Sequence, residues 1–387
     1  MTDTANLPLD GIRVIDFTQA EQGPVGTLQL ADFGADVIKI ERPGVGDLSR
    51  HTVGGTSVEA TNNPTYVAMN RNKRSMELDT RTEAGKKVIY ELVKVSDVVV
   101  NNFRPGVMDK LGFSYEKLKE INPRIVFASA TGYGPVGPNA KKPGQDMVAQ
   151  AVTGFMYETA DPSVQQSIVP TAICDYTGGM HLCQGILAAL IWREKTGLGR
   201  KVDVCLYDSM FHTQLQEVAY WSKYKQVLNW AAMPLAIHAE AKDGPIVVIG
   251  AFMPNPLQNM CAALEIDDLT GPYPDMASQI NNKALIQDTL RKEIAKYTME
   301  EALARFEGQD VLCSKVRKLS EVMDDPQTKI NNMLIDIDHP ILGKITTAGC
   351  PVHISDAPVT TRRMAPQLGE HTEEILRELG LSADDAK

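Results

Sequence analysis

Ile12-Arg13-Val14-Ile15-Asp16-Phe17, followed by Gly23-Pro24 and then Gly34-Ala35-Asp36-Val37-Ile38-Lys39-Ile40-Glu41, is the stretch that decides the fold. Ile12 to Phe17 is a short β-branched run behind Asp10-Gly11 and predicts a strand. Gly23-Pro24 opens a helix with proline at the first helical position, where its missing N–H does no harm. That helix runs through Leu28 and Leu30 to Phe33, and Gly34 ends it. Asp36 to Glu41 is a second strand. The alternation continues outward. Ser75–Leu78, Asp97–Val100 and Arg124–Ser129 read as strands, and Thr82–Lys94 as an amphipathic helix with Val88, Ile89, Leu92 and Val93 on one face. Continuous Val/Ile runs separated by helices predict an α/β fold, a parallel sheet covered on both faces with right-handed crossovers.

Further along, about Tyr176 to Lys195 is apolar nearly all round and predicts a central helix, ended by Thr196-Gly197. Lys201–Leu206 alternates with a period of two, as a strand does. After about Lys223 the pattern changes. An isolated strand, Pro245–Ala251, precedes helical stretches at about Leu257–Leu264, Lys283–Tyr297 and Met299–Phe306, as in a smaller α+β domain. Strand character returns from about Ile335, with Gly343–Ala348 extended, and the chain closes on a helix, Glu370–Leu379.

Composition narrows the function classes. Lys plus Arg is 39 and Asp plus Glu is 49, a net charge of −10 over 387 residues. That balance argues against a general nucleic-acid binder, which needs a cationic surplus, and against docking on anionic membranes. The N-terminus lacks a basic, then apolar, leader, and no uninterrupted apolar run is long enough to span a membrane. The six cysteines are widely spaced with no C-x-x-C pair, and the seven histidines show no metal-ligand spacing. A reducing cytoplasm and no metal is the reading.

Asp175 stands in Ile173-Cys174-Asp175-Tyr176-Thr177-Gly178-Gly179, immediately before the apolar helix. Its ordinary role there is an N-cap carboxylate. The same setting suits a reactive one, because a helix N-terminus offers unpaired N–H groups and a positive dipole end. A carboxylate beside an acyl carbon can act as a covalent nucleophile. Cations follow successive strands: Arg42, then Arg81, then Arg104 and Lys110. Asn70-Arg71-Asn72-Lys73-Arg74-Ser75 is the densest basic run. Strand carboxyl ends are where α/β sheets bind ligands, and several cations there suit a polyphosphate. Neither a P-loop nor a dinucleotide fingerprint is present.

Taken together these segments resemble the class III CoA-transferases, which include formyl-CoA:oxalate and carnitine CoA-transferases and, as a branch, α-methylacyl-CoA racemase. The matching residues are Leu9–Phe17, Gly34–Arg42, Asn72–Ser75, Asn102-Phe103-Arg104-Pro105-Gly106, Asp175 to Leu190, Thr196–Arg200 and Leu368–Thr372. The resemblance covers nearly the whole chain and is weakest between about Lys223 and Arg317. It implies a Rossmann-like large domain built from residues 1–222 and 331–387, a small domain with its linkers over 223–330, and two chains interlocked as a homodimer. It implies transfer of CoA between an acyl-CoA and a free carboxylic acid, with CoA a co-substrate rather than a tightly bound cofactor. Asp175 aligns with the family's nucleophile, and Gly178 and Gly179 lie near enough to supply oxyanion donors. The CoA positions carry over to Arg42, Leu78, Arg81, Asn102, Phe103, Val107 and Lys110, the last keeping the family arginine's charge but not its bidentate geometry.

Three departures refine the expectation. The racemase branch has Gly-His-Asp where this chain has Gly144-Gln145-Asp146, and Gln cannot act as a base near neutral pH. That favours transferase over the rival racemase. Gln145 is retained as a substrate-side residue. The formyl-CoA branch closes its site with a run of glycines, whereas this chain has Gly250-Ala251-Phe252-Met253-Pro254, which argues against formyl-CoA and oxalate. That branch's active-site Gln aligns with Glu21, Gln22 coming next, and a Glu there would repel a dicarboxylate. A catalytically silent CoA-binding relative is the remaining rival, and the presence of Asp175 argues against it.

Overall fold

Six strands share one parallel sheet: β1 (Arg13–Asp16), β2 (Asp36–Glu41), β3 (Lys73–Glu77), β4 (Val98–Asn101), β5 (Val126–Thr131) and β6 (Lys201–Cys205). The computed structural model describes residues 7–51, 63–157, 167–357 and 359–386. The sheet order is β3-β2-β1-β4-β5-β6. Strand order therefore reverses between β1 and β4, the topological switch point at which such sheets open a crevice.

The Val and Ile runs are continuous because both faces are covered. On one face Ile15, Ile38, Val99 and Phe127 pack with Val88, Ile89 and Leu92 of the helix Glu83–Lys94. On the other, Val14, Val37, Val98 and Ala128 pack with Leu30 of the first helix (Gln22–Asp32) and with Leu182 and Ile186 of the long helix (Ile173–Thr196). The first and long helices approach closely because their contacts are glycines. A Cβ on Gly179 would lie 2.7 Å from the Gln22 carbonyl, and one on Gly26 2.8 Å from that of Gly179.

The chain divides into two compact units. The first joins both ends of the chain: the part up to Met156, Ile168–Gln214 and Lys329 onward. It includes the antiparallel hairpin β10–β11 (Leu334–His339 and Gly343–Ala348) and a closing helix, Thr372–Glu378, whose Ile375 and Leu376 enter the sheet's core. The second is built on Leu215–Thr328. Its sheet has the order β7-β8-β9 (Ala236–Ala241, Gly244–Ile249 and Leu312–Lys315) and is antiparallel. Helices Pro256–Leu264, Lys283–Ile294 and Met299–Glu307 complete its core.

Three expectations are corrected. The strand predicted over 245–251 is not isolated but is the centre of that three-stranded sheet. The join expected between residues 222 and 223 falls inside the helix Leu215–Tyr224. The long helix begins at Ile173, a turn before Tyr176, so Asp175 stands within its first turn and the N-cap is Ala172.

Candidate active site

The loop after β1 is fixed atom by atom. Asp16 accepts from the Thr18 N–H at 2.8 Å and from its hydroxyl. Lys39 Nζ donates to the Thr18 carbonyl at 2.8 Å, and the Asn102 side chain closes a two-bond ring on Gln19, accepting from its N–H at 2.9 Å and donating to its carbonyl at 2.7 Å. The Ala20 N–H donates to Asp47 at 2.9 Å. Ala20 has φ of 64°, a conformation unfavourable for a residue with a Cβ, and it persists because these bonds over-determine it. The pinned loop aims the next two residues: Glu21, at the N-cap of the first helix, and Gln22, which is buried. Gln22 Nε2 has no hydrogen-bond partner among the described residues. It lies over the bare α-carbon of Gly178, where a Cβ would come within 2.6 Å of it.

Asp146 performs the capping task that the sequence offered to Asp175. One of its carboxylate oxygens accepts from the N–H of Cys174 at 2.6 Å and from that of Asp175 at 3.1 Å. The other accepts from Gln150 Nε2 at 2.7 Å. The loop carrying Asp146 comes close through a second glycine contact, since a Cβ on Gly132 would lie 2.5 Å from the α-carbon of Gly144. With the helix N-terminus satisfied from 28 residues away, the Asp175 carboxylate is released. It has no hydrogen bond or ion pair among the described residues. Burial, then the negative charges of Glu21 and Asp146, push it up from 3.8 to about 7. Glu21 is raised for the same reasons, burial and then Asp146.

A cavity of about 260 Å³ opens at the switch point, lined from the loops after β1, β4, β5 and β6 and by the start of the long helix. Glu21, Gln22, Asn102, Phe103, Gln145 and Asp175 all face it. Its cations are Arg104 and Lys142, both exposed.

The family model described as CoA-transferase family III matches residues 9–372. The chain belongs to CoA-transferase family III. The resemblance read from the sequence is thus borne out, and the protein is a CoA-transferase enzyme, for which CoA thioesters are co-substrates. It is 35% identical to the formyl-CoA:oxalate CoA-transferase of Escherichia coli O157:H7, over 98% of this chain and 97% of that protein. The enzyme of that description from Shigella dysenteriae serotype 1 matches at the same 35%. Among solved structures, a CAIB/BAIF family protein from Brucella suis superposes with a TM-score of 0.84 at 30% identity, covering 97% of this chain and 100% of that one. The Rv3272 protein of Mycobacterium tuberculosis gives 0.84 at 29% identity, over 96% of this chain and 99% of its own.

The transferase does not gather all the expected residues at the cavity. Arg42, Arg81 and Lys110 are exposed and lie outside its lining, as does Val107, the first residue of the helix Val107–Leu111. Arg81 is already held by Asp79 through two bonds of 2.8 and 2.7 Å. Leu78 is buried in the sheet core, so only its backbone is available to a ligand. Gln145 accepts from the Met147 N–H at 3.2 Å, opening its own short helix. Gly178 and Gly179 sit beyond the first turn of the long helix, where N–H groups belong to the helical ladder. Their bare α-carbons admit Gln22 and the first helix instead, which removes them as free oxyanion donors. The basic run is corrected outright. Arg71 pairs with Asp32 at 2.6 Å, Lys73 with Asp16 at 3.2 Å and Arg74 with Asp36 at 2.6 Å, all three cations buried. Asp146, Asp47 and Lys142 were not picked out from the sequence. Asp146 caps Cys174 28 residues on and Asp47 holds Ala20 27 residues back, and only Gly144-Gln145-Asp146, matched to the racemase motif, carried a signal.

Proposed function

We propose that the transferase moves CoA between an acyl-CoA and a free carboxylic acid through covalent intermediates on Asp175. The observation that supports this most is the release of Asp175 from capping by Asp146, which leaves an unpaired carboxylate on a cavity at the switch point. Its oxygen attacks the thioester carbonyl, the C–S bond breaks, and CoA thiolate leaves behind a mixed anhydride. The thiolate then attacks the aspartyl carbonyl, releasing the donor acid as its carboxylate and giving an aspartyl-CoA thioester. The acceptor carboxylate attacks that thioester, forming a second anhydride and freeing the thiolate. Attack of the thiolate on the acceptor acyl carbon gives the new acyl-CoA and restores Asp175. Splitting one transfer into steps of similar difficulty is what covalent catalysis supplies. Gln22 Nε2, buried and without a partner among the described residues, is the donor we assign to the developing oxyanion.

We assign the CoA phosphates to the exposed cations Arg42 and Lys110, with Arg81, Arg104 and Lys142 as further cations for them, and the adenine end to Asn102, Phe103, Val107 and the Leu78 backbone. Two chains interlock in this reading. It is supported by apolar side chains left in solvent, among them Trp192, Trp221 and Tyr224, and by the helix Leu215–Tyr224, none of whose residues is buried. The six cysteines are free, which suits a reducing cytoplasm. Among the described residues no helix is long and apolar enough to cross a membrane, and no His, Cys, Asp and Glu cluster could hold a metal ion.

The test is Asp175→Asn. It keeps shape and polarity, so the variant should fold and bind CoA yet lose transfer by several orders of magnitude. Normal turnover in that variant would refute the assignment. For the dimer, light scattering showing a folded, active monomer at micromolar concentration would do the same.

A further inference from the structure

The loop that brings Gln22 to the cavity also brings a carboxylate that none of the chemical steps uses. We infer that Glu21 is a specificity-determining residue, a charge filter that restricts the exchanged acids to those bearing a single carboxylate. The inference rests on the proposed function, in which both acyl groups lie beside Asp175.

Three observations carry it. Glu21 occupies the N-cap of the first helix, but its side chain makes no capping bond among the described residues. It lines the cavity with Asp175 instead. The second observation is rigidity. Glu21 follows Ala20, whose backbone is pinned by Asp47, and Gln19, clasped on both sides by Asn102, so the carboxylate cannot swing away with its loop. The third is the distribution of charge. Glu21 and Asp175 are partly buried and Asp146 fully so behind the helix N-terminus, while the cations of the cavity, Arg104 and Lys142, are exposed.

A monoacid brings one negative charge, which disappears when its carboxylate becomes the anhydride. A diacid keeps its second carboxylate ionised through every step, facing Glu21 throughout. Like charges a few ångströms apart in a partly desolvated site are worth a factor of about ten or more. The filter therefore acts on acyl-CoA donor and free acceptor alike.

The experiment compares butyrate with succinate on the full-length enzyme, both as acceptors from an acyl-CoA and as ligands titrated calorimetrically into CoA-saturated protein. Wild type should favour butyrate in both measurements by about tenfold or more. Glu21→Gln should reduce that ratio by about tenfold, and Glu21→Asp should retain it. In wild type alone, raising ionic strength should narrow the ratio, because the discrimination is coulombic. That arm holds even if a variant fails to fold. A ratio unchanged in Glu21→Gln, a wild-type preference for succinate, or a salt-independent preference would each overturn the filter. Binding preference that tracks Glu21 without CoA exchange would overturn the transfer reading and leave the filter standing. Exchange that ignores the second carboxylate would do the reverse.

Discussion

Asp16 and Asp175 both serve the carboxyl end of the same sheet, and their surroundings are opposites. Asp16 is fully buried and meets Lys73, Lys39 and the hydroxyls of Thr18 and Thr27, which outweigh its burial and hold it down at about 2. Asp175 meets burial and two further carboxylates, which push it up to about 7. The cations divide likewise. Lys73 is buried and bonded to Asp16, Thr27 and Asn70, whereas Arg42, one strand away, is exposed. One region is a girdle in which each charge is answered from within the chain. The other is a cavity where charges are left for a ligand to answer. The girdle lies directly under the cavity: Lys39 and Asp47, paired at 2.6 Å with neither side chain exposed, also hold Thr18 and Ala20. Saturated electrostatics below keep an unsatisfied arrangement in place above.

The girdle is most vulnerable at Lys73, which is fully buried. Lys73→Ala leaves Asp16 short of its nearest cation in the interior, and stability should fall by about 3–5 kcal/mol in urea unfolding. An unchanged midpoint would remove the girdle from the account. Arg42→Ala should do the converse, weakening CoA by about 1.5–3 kcal/mol, the worth of a charge-assisted hydrogen bond, with no change in thermal unfolding. An unaltered CoA dissociation constant would show that Arg42 is only a solvated cation.

Acidity sharpens the contrast further. In the proposed mechanism Asp175 attacks as its carboxylate, so kcat/KM for acyl-CoA should rise with pH along a limb centred near 7. Glu21→Gln removes one of the charges that raises Asp175 and should move this limb to lower pH. A limb that stays in place would separate Glu21 from Asp175. The folded-state value also lies above the ordinary 3.8, so the native protein loses stability as pH climbs from about 4 to 7. Asp175→Asn lacks that loss and should gain more in Tm over wild type at pH 8 than at pH 4. Equal gains at both would contradict the raised value. Arg81 is the smallest case. Already held by Asp79, it should lower CoA affinity less when replaced by Ala than Arg42 does.

The large sheet was legible because strands buried on both faces must be apolar throughout, and Val14, Ile15, Val37 and Ile38 are. The sheet of the second unit was not. Its edge strand Leu312–Lys315 has four residues, three of them exposed, and nothing in that pattern names its partner β8. The start of the long helix was misplaced for a similar reason: its cap comes from Asp146, a residue no local rule connects to Cys174. The basic run misled because charge density is visible in a sequence while pairing is not. Arg71 finds Asp32 39 residues back, and Arg74 finds Glu374 300 residues on. Asp175 and the strand-end loops were singled out through the family pattern. The freedom of Asp175's carboxylate and the direction of its shift required the structure.

The proposed mechanism turns on acylation of Asp175. Incubating the wild-type enzyme with acyl-CoA and no acceptor, then quenching with hydroxylamine, should convert the trapped species to an aspartyl hydroxamate found by mass spectrometry on the peptide containing Asp175, and absent from Asp175→Asn. No modified peptide in wild type, together with a fully active Asn variant, would contradict the account.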